Sequence, residues 1–258
     1  MSIELVFVKL GGSLITNKRR EATPRPQVIR RLAQEIKFAL ASNPGLRIVL
    51  GHGSGSFGHW AAKRHPLPAG FVQIGAAAAR LNRLVTDIFL AEGVPVLSLP
   101  PSAAVLAGAG RISTWQLAPL QSALRDKLIP LIFGDVVFDS ECGGAILSTE
   151  DLFVHLAPIL QPERILLLGN APGVLDDQHR LIPTITPANY PTVAQFLRGS
   201  GCVDVTGGMA DKVEQMLTLV QRLPDLRAWI FTGREPGNLT RALLEPESTP
   251  GTLIQVKA

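Results

Sequence analysis

Between an apolar run at residues 46–50 and a segment with helical spacing, the chain places Gly51, Gly53, Gly55 and Gly58 within eight residues and follows them with His59. Glycine reaches backbone angles closed to other residues, and a turn that enters a helix presents N–H groups carrying partial positive charge. A buried strand, such a turn and a helix together make a cradle for an anion. A histidine at its end adds a donor to the same oxyanion. Two named motifs fail here. Gly53-x-Gly55-x-x-Gly58 has the letters of the dinucleotide fingerprint, but the next strand, at residues 94–99, ends without the acidic residue that fingerprint requires. No Lys-Ser or Lys-Thr follows the last glycine, which excludes a Walker loop.

The chain alternates strands and helices around this turn. A first strand at residues 4–9 ends in Lys9-Leu10-Gly11-Gly12-Ser13. Val28, Ile29, Leu32, Ala33, Ile36 and Leu40 repeat at helical spacing, and Asn43-Pro44-Gly45 stops that helix before the strand at 46–50. Strand, helix and strand in so short a span predict parallel neighbours. After His59 a short helix is predicted to about Arg64, then a long one over 72–92 and a third parallel strand over 94–99. Ser102 is predicted to cap a short helix, with another over 116–128. A strand at 129–133 leads through Gly134-Asp135 to a hairpin turning at 140–144, and Ser148 or Thr149 caps a helix with Glu150 and Asp151 in its first turn. A buried strand at 165–168 ends at Gly169-Asn170, and an outward helix spans 190–199. Gly207-Gly208 opens a helix running to about Leu223, and the last strands lie at 228–232 and 251–256.

Composition narrows the partners. Of the 258 residues 46% are apolar and 18% charged, as in globular chains, and no apolar run approaches the ~20 residues that span a bilayer. The strand at the N-terminus has no secretory segment ahead of it, so a cytoplasmic protein is expected. Two cysteines make neither a disulfide framework nor a zinc pattern. A net charge of +4, without a basic helix and with 5% aromatic residues, argues against nucleic acid and for a small phosphorylated ligand.

The carboxyl ends of parallel strands lie along one edge of an open sheet, where ligands bind. The turns Gly11-Gly12, Gly51 to Gly58 and Gly207-Gly208 should therefore converge there, with Lys9, Lys18, His59 and Lys212 close to them in sequence. Cations and N–H donors around a charge-rich array are what phosphoryl transfer requires. One glycine turn suits a single phosphate, and three suit a donor and an acceptor. Lys212, about one turn into its helix, leans back toward the anion that Gly207-Gly208 would hold.

Lys9-x-Gly11-Gly12-Ser13-x-Ile15-Thr16-x-Lys18, the Gly51 to His59 turn, Gly134-Asp135-Val136-Val137, Ile146-Leu147-Ser148 and Asp204-Val205-Thr206-Gly207-Gly208-Met209-x-x-Lys212 resemble the amino acid kinase superfamily, and within it the isopentenyl phosphate kinases. The likeness runs over nearly the whole chain in the right order. It implies a three-layer α/β/α sandwich on a mostly parallel sheet of about eight strands. It further implies one domain over 1–258, with a phosphoryl-acceptor lobe at 1–160 and an ATP lobe at 161–258, working as a homodimer. ATP with Mg2+ would lie along Lys9, Gly11, Gly12, Ser13, Gly55, Gly169, Gly173, Asp176, Gly207, Gly208 and Lys212. The acceptor phosphate would meet His59 and the N–H groups of Gly53, Ser54 and Gly55, with its tail against Phe71, Ile74, Leu81 and Leu84. Lys9 and Lys212 would neutralise the moving phosphoryl group, Lys18 would stabilise the transition state or the ATP phosphates, and Glu150 or Asp151 would organise the lysines. A fosfomycin-type phosphonate kinase of the same superfamily, or a nucleotide- or anion-binding protein without turnover, shares much of this pattern. Retention of three lysines and His59 favours a kinase over a binder.

Overall fold

The structure, a computed structural model, describes residues 3–199 and 208–257. Strand β1 (Glu4–Leu10) leads into a short helix α1 (Gly12–Ile15), followed by α2 (Pro26–Ser42), β2 (Leu46–His52), α3 (Gly55–Arg64), α4 (Phe71–Ala91) and β3 (Val96–Ser98). The middle of the chain forms β4 (Val105–Gly108), β5 (Arg111–Trp115), α5 (Ala118–Arg125), β6 (Ile129–Phe133), β7 (Asp135–Asp139), β8 (Ala145–Leu147) and α6 (Thr149–Leu160). The remainder comprises β9 (Arg164–Gly169), β10 (Thr184–Ile185), α7 (Tyr190–Gly199), α8 (Met209–Arg222), β11 (Arg227–Thr232), α9 (Asn238–Leu244) and β12 (Thr252–Ile254).

Among the described residues the main sheet has eight strands in the order β10-β12-β11-β9-β1-β2-β6-β3. All run parallel except β12 and β10, since β12 pairs antiparallel with β11 and parallel with β10. β1 sits at the centre, with Leu10 opposite His52 on one side and Leu168 on the other. Its neighbours follow it in opposite directions across the sheet, so the Gly11, Gly53 and Gly169 turns leave the sheet together at its topological switch point.

Alternation along β1 sets the three layers. Val6, Val8 and Leu10 are buried with Ile29, Leu32 and Ile36 of α2 and Leu81, Val85 and Phe89 of α4. Phe7 points to the opposite face, among Leu152, Phe153 and Leu156 of α6 and Val213 and Met216 of α8. A strand buried on both faces reads as a continuous apolar run, as Leu5 to Val8 do here before Lys9 interrupts them at the end facing the site.

Some boundaries differ from the sequence expectations. Helix α3 begins at Gly55, so His59 lies inside it rather than ahead of it. Ser102 belongs to a 3₁₀ turn, Pro101–Ala103, and its N–H donates to the Asp135 carboxylate (3.1 Å). The predicted helix over 116–128 is confined to α5, which has Pro119 in its first turn. The hairpin β4–β5 was not expected. It joins β7 and β8 in a separate sheet ordered β5-β4-β7-β8, its turn closed by Gly110 in the left-handed region (φ 77°).

Candidate active site

The glycine turns after β1 and β2 touch through main chain. A Cβ on Gly12 would lie 2.6 Å from the Gly55 nitrogen, and one on Gly55 would lie 2.4 Å from Thr16 Oγ1. Gly55 also adopts φ 52°, so both space and backbone angle require glycine there. Thr16, fully buried, ties the turns together: its hydroxyl donates to the Gly12 carbonyl (2.7 Å) and accepts from Ser56 N–H (2.9 Å).

Two cavities open on this junction. The first, about 460 Å³, runs along Lys9, Gly11, Gly12, Ser13, Lys18, Gly53, Ser54, Gly55, Gly169, Asn170, Ala171 and Met209. The second, about 280 Å³, is walled by Gly58, Ala62, Ile74, Ala78, Asp135, Asp151, Asp211 and Gln215. Ser54, His59, Gly134, Ile146, Ser148, Glu150 and Lys212 line both. Residues from both ends of the chain thus meet at one cleft.

Lys9 follows Phe7 by two residues and so shares its face of β1, where Phe7 packs on Phe153 of α6 (centroids 5.0 Å). This brings the Lys9 ammonium onto Glu150 in the first turn of α6, and the two form a buried ion pair. Burial alone would push the Glu150 carboxyl up. The charges of Lys9 and Lys212 and the Lys9 hydrogen bond outweigh it and hold the carboxyl below the usual range, so Glu150 is ionised. Its Oε1 is buried without a hydrogen-bond partner. Asp151, one residue on, is engaged otherwise. Its Oδ2 accepts from Ser148 N–H (2.8 Å) and Oγ (2.7 Å), its Oδ1 accepts from Gln215 (2.9 Å), and its own N–H donates to Ser148 Oγ, completing a capping box. Of the two carboxylates, Glu150 is the one that contacts a lysine.

Lys212 stands at the fourth position of α8, after the cap Gly208, and the helix N-terminus adds positive potential to its ammonium. Gly207 lies outside the described residues. Lys18 is exposed at the rim, where its carbonyl accepts from Trp60 Nε1 (3.4 Å). His59, half-buried, lies one turn after Gly55, and side chains lean toward the helix N-terminus.

Several predicted contacts are corrected. The Gly53 N–H donates to the Leu10 carbonyl (3.1 Å) and is not available to a phosphate, because the β1–β2 ladder runs one step past the strands. The donors of this turn are the N–H groups of Ser54 and Gly55, which enter the helix where no intrahelical partner exists. The Gly11 N–H is likewise bonded to the Leu168 carbonyl (2.8 Å), leaving Gly12 and Ser13. Of the apolar set, Ile74 alone lines either of these two cavities. Leu81 lies seven residues further along α4, roughly 10 Å away at 1.5 Å per residue, and is fully buried in the core. Leu84 is rotated off that face and exposed, and Phe71 stacks on Phe138 (4.5 Å). Gly173 packs against Leu181 and Thr252, Asp176 closes its own loop by accepting from Gln178 and Arg180, and neither lines either of these two cavities. Ala62 and Ala78 were missed. Ala78 follows Ile74 at i+4, and that spacing was the available signal.

His52 is fully buried beneath the turn. Desolvation, with a smaller contribution from the Lys9 charge, lowers its pKa to about 4 against the hydrogen bond to Gly53, so the ring is neutral. Its carbonyl accepts from Gly134 N–H (3.0 Å) and Thr149 Oγ1 (2.7 Å), joining the turn to the start of α6.

A mostly parallel three-layer sandwich with lysines and glycine turns at its switch point defines a phosphate-handling α/β protein. The amino acid kinase family profile matches residues 4–232, and the chain belongs to that family. It is 32% identical over 261 residues to the isopentenyl phosphate kinase of Methanocaldococcus jannaschii, covering 95% of this chain and 97% of that one. It is 33% identical over 281 residues to the isopentenyl phosphate kinase of Methanothermobacter thermautotrophicus, covering 98% and 100%. Among solved structures, an isopentenyl phosphate kinase superposes with a TM-score of 0.82 at 31% identity, over 98% of this chain and 100% of that one.

Proposed function

We propose that this chain transfers the γ-phosphoryl group of ATP to isopentenyl phosphate, giving isopentenyl diphosphate and ADP, as a cytoplasmic homodimer. The observation that carries this reading is the pair of cavities opening onto one cluster of Lys9, Glu150, His59 and Lys212. The larger, edged by the main chain of Gly12, Ser13 and Gly169, suits a triphosphate, which N–H groups and lysines hold well. The smaller sets Ala62, Ile74, Ala78 and Ile146 beside the N-terminus of α3, which suits a short branched hydrocarbon ending in a phosphate. Residues 1–160 then supply most of the acceptor side and share the nucleotide side with 161–258, which add Gly169, Asn170, Ala171, Met209 and Lys212 to it.

The acceptor is a phosphate monoester, largely dianionic near neutral pH, so its oxygen needs no strong base. That oxygen bonds to the γ-phosphorus as the bond to the β–γ bridging oxygen breaks. Ser54 and Gly55 N–H groups and His59 hold the acceptor phosphate in line. Lys9 and Lys212 neutralise charge on the transferring group, with Glu150 fixing Lys9, and Lys18 reaches in from the rim. Magnesium carried by ATP would neutralise the β- and γ-oxygens. Such an ion needs only one or two protein carboxylates, and the partnerless Glu150 Oε1 fits that need; no cluster of three or more His, Cys, Asp or Glu forms a cage among the described residues.

Purified protein with ATP, Mg2+ and isopentenyl phosphate should release ADP and show a new diphosphate in phosphorus NMR. Turnover with fosfomycin but not with isopentenyl phosphate would reverse the assignment of the acceptor.

A further inference from the structure

Gly53 and Ser54 are joined by one peptide plane on which the acceptor reading depends. In a trans peptide the carbonyl and the following N–H point in opposite directions. If the Gly53 carbonyl is directed into the protein, the Ser54 N–H is directed outward; if the plane turns over, a carbonyl oxygen replaces that donor. Gly53 has no side chain to resist such a turn. Something else must hold the plane.

The structure contains a chain of hydrogen bonds that ends on this carbonyl. His52 Nδ1 lies 3.1 Å from the Gly53 oxygen, and His52 Nε2 lies 3.2 Å from Asn82 Nδ2 of α4. The Asn82 Oδ1 accepts from Ser98 Oγ of β3 (2.5 Å). Each role follows from the last acceptor. A carbonyl can only accept, so Nδ1 carries the proton; Nε2 of the neutral ring then accepts from the Asn82 amide, and the Asn82 oxygen is left for the serine hydroxyl. Phe133 stacks on the ring (5.5 Å, 8° between planes), fixing its tilt. His52 and Asn82 are both buried, and neither lines either cavity.

We propose that His52 is a positioning residue, held in one tautomer by Asn82 and Ser98, which locks the Gly53–Ser54 peptide so that the Ser54 N–H faces the acceptor phosphate. This deepens the acceptor reading and rests on it, so the test separates the two by titrating inorganic phosphate, whose binding does not depend on the identity of the acceptor's tail. His52→Leu fills about the same volume without a donor; His52→Asn is smaller but keeps an N–H close to the position of Nδ1. Phosphate binding by the leucine variant should weaken about tenfold or more, the scale of one hydrogen bond to a charged group, while the asparagine variant stays within about threefold of the parent. A purely structural role gives the opposite order, because the variant that leaves the larger void suffers more. Equal phosphate affinity in the leucine variant, or equal loss in both, overturns the proposal. Should the leucine variant not fold, Asn82→Leu with nitrogen NMR of the imidazole decides. Loss of the single Nδ1–H tautomer with weakened phosphate binding supports the lock, and undiminished affinity overturns it. Isopentenyl phosphate turnover by the parent is measured separately. Failure there, with the phosphate ranking intact, removes the acceptor and leaves the lock.

Discussion

Main chain forms much of the wall of the larger cavity, through Gly11, Gly12, Ser13, Gly53 and Gly169, whereas side chains of Ala62, Ile74, Ala78 and Ile146 wall the smaller one. The N–H groups left free in the first wall, those of Gly12 and Ser13, recognise phosphate whatever it is attached to. A wall of hydrocarbon recognises shape. The difference suits a kinase in which the donor is common and the acceptor is particular, and both walls end on Glu150, His59 and Lys212.

The strongest way to break this division is at the shared junction. Glu150→Gln removes the charge that pairs the buried Lys9, and stranding one member of a buried pair costs about 3–5 kcal/mol. Denaturant unfolding should show most of that loss, and kcat should fall with either substrate saturating. A variant of parental stability and kcat would mean that Glu150 does not organise the cleft. His59→Ala comes next. A single donor that strengthens in the transition state is worth roughly 10²–10³ in kcat. Steady-state kinetics should show that loss, and unaltered kcat would take His59 out of the chemistry.

A smaller effect is expected beneath the turn. His52 has its pKa lowered to about 4 in the fold, against roughly 6.5 in an unfolded chain. The unfolded state therefore binds more protons below pH 6.5, and stability present above that value is lost as the pH falls toward 4. Between pH 7 and 5 this amounts to about 2 kcal/mol. Burial lowers the His155 pKa as well and acts in the same direction, so His155→Gln serves as the reference. Unfolding curves at the two pH values should flatten in His52→Asn. An undiminished slope would mean that the acid sensitivity lies elsewhere.

How much was legible in the sequence follows the same division. Glycine turns after apolar runs announce walls of main chain, and the convergence of Gly12 on Gly55 is the contact that the sheet-edge argument required. Walls of side chain depend on how far along a helix a residue lies, which periodicity does not record. Ile74 and Leu81 share a face of α4, but the first turns of that helix border the cleft and the later ones cover the sheet. The start of α3 was placed late because Gly55 and Gly58 read as loop, although both are needed for close approach within a helix. Asp151 and Glu150 were indistinguishable as letters. Only the capping geometry of Ser148 separates them, by turning Asp151 back onto its own helix. Nothing in the sequence could have linked His52 to Asn82 and Ser98, because that chain exists only after α4 and β3 have packed.

The acceptor wall itself is tested most directly at Ala78. This residue is buried at the same cavity as Ile74, and a leucine there adds three carbons to a space of about 280 Å³. Each methylene misfit in a hydrophobic pocket is worth about 1–3 kcal/mol, but a cavity open to the cleft can shift its occupant, so the lower end applies. Ala78→Leu should therefore raise KM for isopentenyl phosphate about tenfold while KM for ATP and the affinity for inorganic phosphate stay unchanged, because the leucine meets only the tail. Parallel loss for both substrates would show that the two cavities are not separate compartments. An unchanged KM for the acceptor would place the hydrocarbon tail somewhere other than against α4.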